Sequence, residues 1–294
     1  MFKNFSSILS DSSSRKTFAV SVCFSALYFA ATFILTSYSS HAWSTANAWA
    51  FEYRPLFSLD GMQSLMDTKD WNPQKIAQVF LAPPLWGLFL SVVSLLAYYW
   101  VDLKHGQIRL FLFWLSLNGF ILYYSNLISG LLSYQVYTSK FFTGFVSYYA
   151  WLFWGKHQIN LTLILQGILS LPYAVLYSKL ILQQNHFRRL ASGNSARRDI
   201  FVSVILVPFV LGVSLVLMAS FPMDIKFQLV KFLSFFPVFL VMYIGLFIYA
   251  PQQIYVVKRK LIANAFLWVL MASLVLIVIS RVVLSIKIGP LWHY

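Results

Sequence analysis

His41, Glu52 and Asp60 are the side chains of this chain best suited to chemistry in water. An imidazole and two carboxylates gathered at one surface could act as a general base or hold a metal ion weakly. Asp67 and Asp70 follow in the same polar stretch, 37–76. The spacings fit no defined motif, and solvated loop charges are the commoner meaning of such a set. A second group is basic. Arg188, Arg189, Arg197 and Arg198 fall within 183–200, where they could clamp anionic headgroups or an acidic partner, or simply fix the threading of the chain.

A third group is polar but not ionisable. Asn118, Ser125 and Ser129 recur at offsets that share one helical face, and so do Gln166, Ser170, Tyr173 and Tyr177. Two such stripes on adjacent helices could line a polar passage or a headgroup site. The plainer reading is helix packing, in which small polar residues allow close approach and hydrogen-bond across the interface.

Familiar catalytic signatures are missing. There is no H-E-x-x-H, whose two imidazoles one turn apart would hold zinc beside a carboxylate base. No G-x-S-x-G elbow, P-loop or G-x-G-x-x-G occurs. Cys23 is the only cysteine, so no intrachain disulfide can form and no cofactor motif is present.

The elements that must carry these residues are membrane helices. Of 294 residues 60% are hydrophobic and only 10% charged, where a soluble domain has about 25%. Seven apolar stretches run at about 17–36, 75–100, 110–134, 159–182, 201–221, 232–250 and 263–284, and a crossing needs ~20 residues. The expected fold is all-α: a polytopic helical membrane protein, one domain over 1–294, with about seven transmembrane helices and one or two interfacial helices. The spacing of Leu59, Met62, Leu65 and Met66 predicts a short surface helix within an extracytoplasmic loop, 37–76. Asn72-Pro73 predicts the start of the next helix. The segment 141–155 holds eight aromatic residues, too short to cross and suited to the headgroup level as an interfacial or re-entrant piece. Ala46-Asn47-Ala48 offers a signal-type cleavage site, but the apolar run before it exceeds a ~7–15-residue signal core, so the first span is expected to be retained.

Prolines interrupt four of the stretches, at Pro83, Pro84, Pro172, Pro208 and Pro237. Each removes a backbone donor and frees the carbonyl four residues earlier. Paired broken helices mark the substrate site of some transporters. Ionisable residues avoid the middles of the spans. Lys179 and Arg281 come nearest, and a long stem at a helix end can carry its charge to the interface.

Lys3, Arg15, Lys16, Lys104, Arg109, Lys179, Arg188, Arg189, Arg197, Arg198 and Lys258-Arg259-Lys260 lie on one side of a seven-span threading and are expected to place the N-terminus in the cytoplasm. The net charge of +14 then belongs to the membrane surface rather than to nucleic acid. The sequence points first to a non-catalytic subunit or accessory factor of a larger assembly in a bacterial inner membrane, with lipids and other membrane subunits as partners. A transporter or lipid-handling protein is the alternative, and an enzyme with an extracytoplasmic site the next.

Overall fold

The computed structural model describes residues 12–53, 55–58, 61–64, 72–102, 106–136, 156–183, 194–220 and 232–248, with Ala272, Val275 and Ile279. Most of the seventh apolar stretch, the 141–155 segment and 184–193 lie outside the described residues. The elements run α1 (Ser12–Ala50), β1 (Pro55–Ser58), β2 (Gly61–Ser64), α2 (Pro73–Phe80), α3 (Ala82–Trp100), α4 (Gly106–Val136), α5 (Lys156–Leu182), α6 (Asn194–Phe201), a π-helical turn (Val202–Leu206), α7 (Val207–Ser220) and α8 (Phe235–Gly245). Four stretches are long and apolar enough to cross a membrane: Ala19–Ala50, Ala77–Trp100, Gly106–Asn126 and Arg197–Met218. Ser170–Leu182 and Phe235–Gly245 are shorter apolar helices where the fourth and sixth spans are expected.

The largest departure from the sequence reading is α1. It continues through the first part of the expected loop and reaches 39 residues, about 58 Å at 1.5 Å per residue. A hydrocarbon core is only ~30 Å thick, so the helix outruns it. No glycine or proline interrupts it. Its hydroxyls bond back to their own helix: Thr32 to Tyr28 O at 2.6 Å, Ser39 to Leu35 O at 2.7 Å and Thr45 to His41 O at 2.8 Å. These residues look loop-like because they are polar, yet they satisfy themselves without leaving the helix. The helix stops at Glu52, whose φ of 59° is left-handed. Glu52 N–H donates to Trp49 O and Tyr53 N–H to Ala48 O, at 3.0 and 2.9 Å, which is a Schellman ending without its usual glycine.

The expected surface helix around 59–66 is replaced by an antiparallel hairpin, β1–β2, with Ser58 paired to Gly61. With Ser58 opposite Gly61, only Leu59 and Asp60 connect the strands, the shortest common hairpin connection. α2 begins as the sequence predicts, with Asn72 Oδ1 accepting from Lys75 N–H at 2.8 Å and Pro73 in the first turn. The chain breaks at Leu81 before α3. Asn194–Phe201, expected within a basic loop, is helical and runs through the π turn into α7.

The prolines explain two of the contacts that hold the bundle. Pro83 cannot donate to Val79 O, and Ser44 Oγ of α1 donates there instead, at 2.9 Å. Pro208 cannot donate to Val204 O, and Ser25 Oγ of α1 does so at 3.2 Å. Around them the core is aromatic. The Phe29 ring meets Trp114, Phe209 and Phe235 edge-on at 5.1, 5.3 and 5.6 Å. It also lies directly against Gly212, where a larger residue would collide with it.

Candidate functional site: a buried polar seam and an arginine-bearing end

α3 and α4 touch backbone to backbone. A Cβ on Gly119 would stand 2.6 Å from Gly87 O and 2.9 Å from Ser91 N; one on Gly87 would stand 2.7 Å from Gly119 O. That closeness brings Ser91 and Ser116 together, and Tyr177 of α5 reaches them. Tyr177 OH lies 2.7 Å from Ser116 Oγ and 3.2 Å from Ser91 Oγ, while Ser116 Oγ also donates to Ser91 O at 2.8 Å. All three residues are buried. The set joins three helices through three hydroxyls and one backbone carbonyl.

A neighbouring set ties α4 to α1. Asn118 Nδ2 donates to Thr32 Oγ1 at 2.8 Å and to Phe29 O at 3.2 Å. Trp114 Nε1 donates to Ser25 Oγ at 2.8 Å, and Ser25 passes its own proton to Val204 O. Asn118 Oδ1 and Thr36 Oγ1 are buried with no hydrogen-bond partner among the described residues.

The expected stripe is therefore divided by the fold. Asn118 faces α1. Ser125 bonds Leu122 O of its own helix at 3.2 Å, and Ser170 likewise bonds Gly167 O at 2.7 Å. Tyr173 stacks on Phe120 at 4.9 Å. The side chains of Ser129 and Gln166 lie outside those described. Ser91 and Ser116 belong to neither predicted stripe. The spacing of Gly87 with Ser91 and of Ser116 with Gly119 is the signal that could have found them, because small residues on one face mark a close helix crossing.

The basic end joins Arg109 to two of the four arginines of 183–200, Arg197 and Arg198. Arg109, near the start of α4, donates from Nη2 to Gln183 Oε1 at 3.0 Å, and its guanidinium lies 4.2 Å from the centre of the Tyr98 ring. Tyr98 OH donates to the same Gln183 oxygen at 3.3 Å. This corner locks together the end of α3, the start of α4 and the end of α5. Arg197 donates to Leu246 O at 3.0 Å, placing a cation at the C-terminus of α8. Arg198 Nε lies 3.8 Å from Asp199 Oδ1. Arg188, Arg189 and Arg281 lie outside the described residues, as do Asp60, Asp67 and Asp70. Lys179 is half-buried in the last turn of α5.

His41 and Glu52 are set apart by the long α1, about 16 Å along its axis, and do not meet as one site. Among the described residues no three of His, Cys, Asp and Glu stand close enough to hold a metal ion. The serines of the seam have hydroxyl and backbone neighbours, with no imidazole or amine in the set to activate one as a nucleophile. The hydrogen bonds of the two sets run between α1, α3, α4 and α5. Comparison with protein-family models, curated proteins and solved structures finds no match to this chain.

Proposed function

We propose that this chain is a non-catalytic multi-pass membrane protein that serves as a subunit or accessory factor of a larger membrane assembly. In this reading it crosses a bacterial inner membrane seven times, with its N-terminus in the cytoplasm. One observation carries the reading. The buried polar side chains of the described bundle bond their own or a neighbouring helix, apart from Asn118 Oδ1 and Thr36 Oγ1, and two of them, Ser25 and Ser44, replace donors that prolines removed. A transporter built on broken helices leaves freed carbonyls to coordinate its cargo; here those two carbonyls are already occupied. The cytoplasmic placement of the N-terminus is supported by Arg109, Arg197 and Arg198, which gather where α3 and α5 end and α4 and α6 begin. Gentle extraction in mild detergent followed by native mass spectrometry tests the reading. A stable stoichiometric partner is expected, and a monodisperse single chain would overturn it.

Transport or lipid handling is the second reading, favoured by Asn118 Oδ1 and Thr36 Oγ1, buried acceptors without a partner among the described residues. It expects Asn118→Ala and Gln166→Ala to alter flux of a lipid or solute at unchanged expression. Loss of stability alone in both variants would leave the packing role standing.

A further inference from the structure

Arg109 is 5% exposed, and its Nε is buried with no hydrogen-bond partner among the described residues. Its hydrogen bond is to a neutral amide, Gln183, and no carboxylate pairs with it among the described residues. A guanidinium offers five N–H donors in a planar fork and stays charged at any physiological pH. Burying that charge without a counter-ion is strongly unfavourable. Stacking on Tyr98 lowers the penalty by only about 1–2 kcal/mol. Among the described residues the corner lacks an anion.

Position says which anion. Arg109 lies in the opening turns of α4, and helical side chains lean back toward the N-terminus, where backbone N–H groups also favour negative charge. Ile108 beside it is exposed, and on the adjoining end of α3 Tyr99 is exposed and Trp100 is 86% exposed. Exposed aromatic residues at the end of a crossing mark the headgroup level. The anion abundant at that level is phosphate, and an arginine fork fits phosphate oxygens.

We infer that the Arg109–Tyr98–Gln183 corner holds a phosphate oxygen of an anionic lipid headgroup, which supplies the counter-charge that the described residues do not. Tyr98 fixes the plane of the guanidinium by stacking, and Gln183 fixes its rotation by accepting from Nη2. The remaining donors are left for the ligand. This inference stands apart from the assembly reading, because a single isolated chain would still need the anion.

The test uses the full chain in phosphatidylcholine vesicles with and without phosphatidylglycerol, read by thermal unfolding and by native mass spectrometry after release into detergent. Phosphatidylglycerol should raise the melting temperature and leave one lipid bound. Arg109→Gln should weaken that retention about tenfold or more, the usual scale for losing a charge-assisted hydrogen bond. Gln183→Glu offers a built-in carboxylate to Arg109, so it should stabilise the protein in phosphatidylcholine alone and abolish the response to phosphatidylglycerol. That variant carries the test even where Arg109→Gln does not fold. Inorganic phosphate added to the phosphatidylcholine sample separates the sources. No effect of inorganic phosphate assigns the site to lipid, whereas stabilisation by it without retained lipid overturns the lipid and leaves a soluble phosphate. A wild type indifferent to both, or a Gln183→Glu variant responding to phosphatidylglycerol as the wild type does, overturns the site altogether.

Discussion

The crossing of α3 and α4 and the outer half of α5 are both apolar helix, and they behave in opposite ways. At the crossing, Gly87 and Gly119 bring two backbones into contact, and Ser91 and Ser116 hydrogen-bond across the seam. Along the first half of α5, Leu161 and Ile164 are each 60% exposed and Ile168 is 57% exposed. Gly167 there has nothing within 4 Å of where a Cβ would stand. Lipid is as apolar as leucine, so apolarity alone gives helices no reason to associate. The difference lies in shape and in hydrogen bonds, which the crossing has and the outer half of α5 lacks among the described residues.

Two alanines break or sustain that contrast most directly. Gly119→Ala forces a methyl into Gly87 O and Ser91 N, both backbone atoms, so the helices must move apart. Overpacking of this kind costs about 1–3 kcal/mol, and lost contacts along the crossing add to it. Gly167→Ala meets open space and should be neutral or stabilising by up to about 1 kcal/mol through helix propensity. Thermal unfolding in one detergent reads both. Equal effects would mean that the crossing is not the tight junction described.

The next largest effect separates serines that bond another helix from a serine that bonds its own. Ser25→Ala leaves Val204 O unanswered in the core and removes the acceptor of Trp114 Nε1. A buried group stripped of its partner costs about 1–3 kcal/mol. Ser170→Ala loses a bond to Gly167 O within α5 and should cost only a few tenths of a kcal/mol. The cause is testable by coupling. Pro208→Ala restores a backbone donor to Val204 O, so the double variant should be less impaired than the sum of the two singles. Additive effects would show that Ser25 is not replacing the donor that Pro208 lacks.

Much of this architecture is legible from apolar runs, because hydrophobic length is a local property. The start of α2 is legible for the same reason, since Asn72 and Pro73 act on their immediate neighbours. The length of α1 is not. Ser39, Ser40 and Thr45 carry a loop-like composition, and only back-bonding to their own carbonyls keeps the helix going. The hairpin was hidden behind a chance helical spacing at 59–66. The seam was half visible: Asn118 and Tyr177 stand out by type, whereas Ser91 and Ser116 gain meaning only when Gly87 and Gly119 touch. Arg109 reads in sequence as one more positive charge at a helix end. Its burial depends on Tyr98 of α3 and on Gln183, just past the end of α5, which share no local pattern with it.

Tyr177 brings the contrast inside a single helix, because Leu161, Ile164, Leu165, Ile168 and Leu171 of α5 are exposed whereas Ala174, Tyr177, Ser178, Leu180, Ile181 and Leu182 are buried. Ser116 spends its proton on Ser91 O, so Tyr177 OH must donate to Ser116 Oγ and can accept from Ser91 Oγ. Tyr177→Phe keeps the ring against Phe113 and Phe120 and removes only the hydroxyl. Ser116 then loses a donor but keeps its bond to Ser91 O, and Ser91 keeps Ser116 within 3.4 Å. The expected loss is small, about 0.6 kcal/mol, the average for hydrogen bonds between membrane helices. Tyr173→Phe, four residues earlier and half-buried against Phe120, should change stability by less. Unfolding of both variants under identical conditions decides the point. A Tyr173→Phe penalty as large as that of Tyr177→Phe would mean that the seam contributes no more cohesion than the exposed half of α5.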